Sequence, residues 1–436
     1  AAPQGGTFNN FSAGTNFASI SIDGSGYLLA GNAVALDNGL SVNGGDATVS
    51  LSLKLNADQS IRNSAYYGTL TLGAVDLNGY QLSLQNEGTA IFVGGQISGD
   101  GGLIIGGWGY YGVTLAVANT YTGATQVDTG YLHLLDALAL GTTDGTAATG
   151  TVLRNGARLY LDGSLVVQDE FLTVDSYGHL LSSDTGEWSG DIDLSGFMSL
   201  SYESTFLLSG NTTGSAYSSL SLGGSGLLTL SGNNSIPNGQ VSAYGSLQVD
   251  GSLTGLAYLN VQYGNLQGTG DVQATNVWVY HGTFQMSGKL DTQQLYVQDG
   301  ILDPAGSTAI ATTDTGNLYF YNTVLSVQLQ SDVDYDQVNV TGTVDLGGGK
   351  LQLHLDYSPN IGQQFTIINN DGLDPVQGTL EYAEGSLILV GADAFRISYV
   401  GGTGNDVTLT RVAVTIWSGE AGAGDTNWST AAYWLG

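Results

Sequence analysis

Along most of the chain, apolar residues alternate with small polar ones in short runs closed by turn signals. Ala18–Ile22, Tyr27–Leu29, Ala33–Leu36 and Ala47–Leu55 are such runs, followed by the turn residues Asp23-Gly24, Gly31-Asn32, Asn38-Gly39 and Asn56-Ala57-Asp58. A period of two with turn residues every 6–12 positions predicts strands, because alternate side chains of a strand face opposite sides. Further along, a Gly-x-apolar step recurs at Gly226, Gly245, Gly264, Gly282 and Gly300, at intervals of 19, 19, 18 and 18 residues. Less regular members begin at Gly130, Gly150, Gly178 and Gly196. A turn glycine and an inward apolar residue held to that period describe one coil of a β-solenoid, in which each strand pairs with its equivalent one coil away. A globular β-sandwich has no reason to keep such a period. With strands about 4.8 Å apart, residues 20–303 would stack into a rod on the order of 70 Å long.

After Asp303-Pro304 the runs lengthen, as in Val324–Leu329, Lys350–Leu355 and Phe395–Tyr399. Residues 304–411 are therefore expected to form a smaller antiparallel β module behind the solenoid. Residues 1–19 are irregular and carry Phe8, Phe11 and Phe17, while 412–436 hold three of the six tryptophans, Trp417, Trp428 and Trp434. The start, Ala1-Ala-Pro-Gln-Gly, suits either a mature terminus or a cut between modules.

Composition narrows the function. The 436 residues include 67 glycines and only 5 prolines, and 42% are apolar, which argues against disorder. Eight Lys and Arg against 38 Asp and Glu give a formal charge of −30, which disfavours nucleic acid and anionic lipid as partners. Cysteine is absent, in keeping with a secreted bacterial fibre or passenger rather than a disulfide scaffold. No apolar run reaches the 18 residues of a transmembrane helix.

Asn119-Thr-Tyr-Thr-Gly-Ala-Thr-Gln-Val-Asp-Thr-Gly-Tyr-Leu-His-Leu134 resembles the passenger-associated repeat of bacterial autotransporters, and Leu228–Ile236 with Gly245–Val249 is a degenerate copy. Tyr335–Gly342, Gly362–Gly372 and Ser398–Leu409 look like the ending that many such proteins share. The resemblance implies a right-handed parallel β-helix at the bacterial cell surface or outside the cell. It says little about activity, since its residues are turn and core positions. No membrane barrel follows in this sequence. In multi-module relatives a segment like Trp417…Trp428…Trp434 opens a module, whereas here it comes last.

Candidate chemistry is sparse. The acids are scattered through turns, their ordinary place, and His133, His179, His281 and His354 are far apart. An enzyme is therefore not expected. Asp332, Asp334 and Asp336 would lie on one side of a strand and suit calcium, although a solvated acidic loop is the plainer reading; otherwise no cofactor is expected. Gly401–Asp406 reads as a turn between strands. Tyr66, Tyr67, Tyr110, Tyr111, Tyr217, Tyr244, Tyr258 and Tyr263 form either a sugar-binding stripe or, as the favoured reading, stabilising ladders.

The main expectation is a structural subunit of an extracellular filament. Val414, Ile416, Trp417, Trp428, Tyr433 and Trp434 of one copy would complete the first coils of the next, against Phe8, Phe11 and Phe17. The partners would then be copies of the chain itself, with surface polysaccharide as a further candidate. The alternative is an adhesin or passenger-like module of a tandem-repeat surface protein. A carbohydrate-active β-helix enzyme ranks third.

Overall fold

The computed structural model describes residues 6–109, 111–306, 309–414, 416–417 and 434–435. It is all-β among these, with parallel solenoid coils, about 16 turns in all, and a small mixed sheet near the C-terminus. The chain divides into two compact units, Ala1–Gly245 and Ser246–Gly436.

In the first unit each coil contributes short strands to parallel columns. One column runs through Leu40–Val42, Gln59–Asn63, Leu82–Asn86, Leu103–Gly106, Thr125–Val127 and Thr151–Leu153. Its inward residues stack in register: Leu40 on Ile61, then Leu84, Ile105, Val127, Leu153 and Val174. All are buried. Burying each such side chain contributes roughly 1.5–3 kcal/mol, so the alternation seen in sequence is the core itself. A second column takes Ala47–Val49, Thr69–Leu72, Ala90–Val93, Val113–Leu115 and Tyr131–Leu134.

The long alternating run Ala47–Leu55 is not one strand. It breaks into Ala47–Val49 and Leu53–Leu55, which belong to different sheets. The coil corner falls between them, where the Ser50 and Leu51 amides both donate to the Leu29 carbonyl. Alternation continues through the corner because both strands turn their apolar residues inward.

In the second unit the Gly-x-apolar period becomes a physical column. Leu247 pairs with Leu266, Leu266 with Phe284, Phe284 with Leu302, and Leu302 with Leu325. Each of the five is fully buried. A side chain on Gly300 would meet the Gly282 carbonyl one coil away at 2.4 Å, which is why the step keeps a glycine.

Parallel pairing does not stop at residue 303. Val324–Leu329 pairs in parallel with Lys350–Leu355, so both strands belong to coils. The register partners Val324 and Lys350 are 26 residues apart, and this stretched interval hides the coil period. The separate six-stranded sheet is mixed rather than wholly antiparallel. Thr312–Thr315, Gln337–Val340 and Gln364–Asn370 run parallel, and Asp406–Val412, Asp393–Gly401 and Leu387–Val390 follow antiparallel. Alternation alone is the same for both arrangements.

Candidate functional site

The residues with most to explain lie along one corner of the first unit, where successive coils turn between the two columns. After Gln59–Asn63 the chain turns through Tyr66 and Tyr67; after Leu82–Asn86 it turns through Glu87, Gly88 and Thr89; after Leu103–Gly106 it makes the longer loop that carries Trp108 and Tyr111. These corners stack. The Glu87 amide donates to the Asn63 carbonyl, the Thr89 amide to Gly68, the Gly109 amide to Asn86 and the Tyr111 amide to Thr89.

Two buried asparagines brace the corners from inside. Asn63 Nδ2 donates to the carbonyls of Gly68 and Ala90, both at 2.8 Å, and its Oδ1 accepts from the Ala65 amide at 3.2 Å. That closes the Tyr66–Tyr67 turn from both sides. Asn86 Nδ2 donates to the Gly112 carbonyl at 3.0 Å, at the far end of the Trp108 loop. Gly109 leaves room for this amide, since a Cβ there would overlap Asn86 Nδ2.

Between the turns lies a groove of about 490 Å³, lined by Tyr66, Tyr67, Glu87, Thr89, Trp108 and Tyr111. Tyr66, Tyr67 and Trp108 are 76%, 86% and 83% exposed. Tyr66 and Tyr67 meet edge to face, 4.5 Å between centroids. Glu87 is held at the groove by Arg62 Nη2 at 3.6 Å and by the Ser64 hydroxyl, which donates to its Oε2 at 3.2 Å. Beyond Trp108 a second concavity of about 190 Å³ is lined by Trp108, Thr129, Tyr131, Asn155 and Arg158. Arg158 lies over the Tyr131 ring, 5.2 Å from its centroid, and Nη1 donates to the Tyr131 hydroxyl at 3.0 Å.

The tyrosines considered from sequence thus separate by place. Tyr66, Tyr67 and Tyr111 converge on the groove, and Tyr110 lies outside the described residues. Trp108 was not singled out by sequence, because a single tryptophan among glycines carries no local pattern. In the second unit Tyr258 packs on Trp278 and Tyr263 stacks on His281 at 5.2 Å, which are ladder contacts. Tyr217 and Tyr244 are exposed.

The acidic triplet does not converge. Asp332 lies in a bend and Asp334 in irregular chain rather than in a strand. Asp332 accepts from the Tyr357 hydroxyl at 2.7 Å and Asp334 from the Ser331 hydroxyl at 2.9 Å, while Asp336 turns inward to accept from the Ala311 and Gln328 amides. Burial raises the Asp336 carboxyl to about 6. Among the described residues no group of three or more His, Asp or Glu is placed to hold a metal. Asp406 closes the expected turn between Asp393–Gly401 and Asp406–Val412, accepting from the Thr403 and Asn370 amides.

Another buried acid serves the coil that carries the repeat-like motif. Asn119, Tyr121 and Thr125 are buried; Asn119 accepts from the Ile97 amide and donates to Ala139, and Tyr121 is hydrogen-bonded to Thr125. Thr151 stands one coil on from Thr125, and from the coil after that Glu170 accepts from its hydroxyl at 2.7 Å; burial pushes the Glu170 carboxyl up to about 7.

Of the expected interface residues, Phe8 is 73% exposed in strand Gly6–Asn9, and Phe11 meets half-buried Phe17 edge-on at 5.9 Å. Phe8, Phe17, Ile20, Leu29, Val34 and Leu51 line a recess of about 170 Å³. Val414 is half-buried. Ile416 pairs antiparallel with Leu435 and Trp417 with Trp434, so these backbone segments form a two-stranded sheet of their own. Trp428 and Tyr433 lie outside the described residues. No helix of the described residues is long and apolar enough to cross a membrane.

No family model matches the chain, and no curated protein matches it. Among solved structures it is similar to the Haemophilus influenzae Hap adhesin, at 12% identity and a TM-score of 0.41. The match covers 93% of this chain and 64% of that one, so the chain spans less than two thirds of that adhesin's length.

Proposed function

We propose that the chain is a non-enzymatic, adhesive structural module of a bacterial cell surface, passenger-like in build. The observation that carries this reading is the cluster of Tyr66, Tyr67, Trp108 and Tyr111 on braced corners of a solenoid. Soluble surfaces scatter exposed apolar residues singly, and a contiguous group marks a contact site. Turns held by buried asparagines lose little backbone freedom on meeting a partner, which favours binding. The absence of cysteine and the repeat-like Asn119–Leu134 segment support a place outside the cell. A strongly acidic surface keeps such a module soluble while it waits for its partner.

The test is adherence. Microspheres carrying the full chain should bind bacterial cell layers or epithelial monolayers well above albumin-coated spheres. Spheres that bind neither better than albumin does would refute the reading.

A filament subunit is the second reading, favoured by the exposed Phe8 and the apolar recess beside it. That recess suits an apolar strand from another copy, and the aromatic segment Val412–Gly436 supplies one by strand addition. Negative-stain microscopy of the full chain separates the two. Filaments that vanish on deletion of residues 412–436 support the subunit, and isolated particles at all concentrations count against it.

A further inference from the structure

We propose that the corner groove binds a neutral glycan chain, with Trp108 as the shared wall of two sugar subsites. This rests on the adhesive reading above and names the chemistry of its partner.

The geometry argues for a long, narrow ligand. The Tyr66–Tyr67 turn, the Glu87–Thr89 corner, the Trp108 loop, Thr129–Gly130 and Asn155–Gly156 are the same corner on five successive coils. The two concavities meet at Trp108, so a ligand filling both follows the direction in which coils stack. A linear polymer fits that path, whereas a compact small molecule would leave half of it empty.

The side chains argue for sugar. A pyranose ring is amphipathic: its C–H faces are apolar and its rim carries hydroxyls. Broad rings of Tyr67 and Trp108 offer apolar faces, and polar atoms sit at the same corners: the Glu87 carboxylate, the Thr89 and Thr129 hydroxyls, the Asn155 amide and the Arg158 guanidinium. Sites of this kind combine apolar walls with a few placed polar groups that fix orientation. A lipid tail would strip water from those polar groups and offer them no hydrogen bond in return, at a cost.

Charge argues for a neutral chain. Glu87 lines one concavity and Arg158 the other, so the lining carries no net charge to be matched. Glu87 is already engaged by Arg62, and Arg158 is fixed over Tyr131. A polyanion would also approach a chain of formal charge −30.

Affinity electrophoresis of the full chain tests this, in gels containing hydroxyethylcellulose, mannan, galactan or xylan, with polygalacturonate as the acidic arm. At least one neutral polymer should retard the chain. Trp108→Ala and Tyr67→Ala should each weaken that retardation at least tenfold, Trp108→Phe should restore most of it, and Tyr217→Ala should change nothing. All three side chains are exposed, and unchanged melting will show that each variant folds. The proposal is overturned by no retardation in any neutral gel, by retardation in polygalacturonate alone, or by retardation that survives Trp108→Ala. Adherence that persists without glycan binding would sink this proposal and leave the adhesive reading standing. Glycan binding without adherence would do the reverse.

Discussion

Asn63 and Asn86 stand in register one coil apart, both buried, with Asn63 Nδ2 3.4 Å from Asn86 Oδ1. Each sends its amide sideways out of its own strand to hold the next corner. Asn63 closes the turn that carries Tyr66 and Tyr67, and Asn86 closes the loop that carries Trp108. The backbone that carries the exposed rings is thus held from the core.

Asn86→Ala should therefore affect stability and site together. It removes one of the two donors to the Gly112 carbonyl, the Ile91 amide being the other, and losing such a hydrogen bond costs about 0.5–1.5 kcal/mol. Chemical denaturation of the full chain reads the loss. The same variant should weaken groove contacts although Asn86 touches no ligand; a variant with wild-type stability would show that the brace is incidental.

Gly109→Ala is a more local test. Its Cβ would overlap the Asn86 amide, whereas a Cβ on Gly223 would find its nearest heavy atom, the Leu200 carbonyl oxygen, at 3.9 Å. Overpacking of this kind costs roughly 1–3 kcal/mol. Gly223→Ala should stay within about 0.5 kcal/mol of the parent. Equal denaturation midpoints for the two variants would contradict the arrangement.

Much of this was legible in the residues. The Gly-x-apolar step at 18–19 residues corresponds to the column from Leu247 to Leu302, because in a solenoid sequence period and strand register are the same quantity. The site was legible only in pieces. Tyr66 and Trp108 are 42 residues apart, close to two coils, yet coil lengths in that part of the chain vary and hide the relation. Nor does sequence show that Asn63 and Asn86 point inward, since asparagine at a strand end ordinarily reads as a turn residue. The acidic triplet failed for a related reason. Neither a strand face nor a solvated loop describes Asp332–Asp336, because Asp336 turns into the interior and Asp332 and Asp334 keep other partners.

Glu170 predicts a pH dependence. Its carboxyl rises from 4.5 to about 7 in the fold, so between those values the unfolded chain has released a proton that the folded chain keeps. Stability from this group is full below about pH 4.5 and falls as pH rises towards 7, by about 3 kcal/mol in all. Glu170→Gln keeps an acceptor for Thr151 and removes the titration. Its denaturation midpoint should match the parent near pH 4.5 and exceed it at pH 8. A difference between the two proteins that does not change with pH would contradict this assignment.

The central claim is that the braced aromatic corner makes the outward contact. The most direct measurement is adherence of microspheres coated with the full chain, set against spheres coated with a Tyr66→Ala, Tyr67→Ala, Trp108→Ala variant of matched melting temperature. The account predicts that adherence falls at least tenfold in the variant. Undiminished adherence of the variant would contradict it and place the contact elsewhere on the molecule.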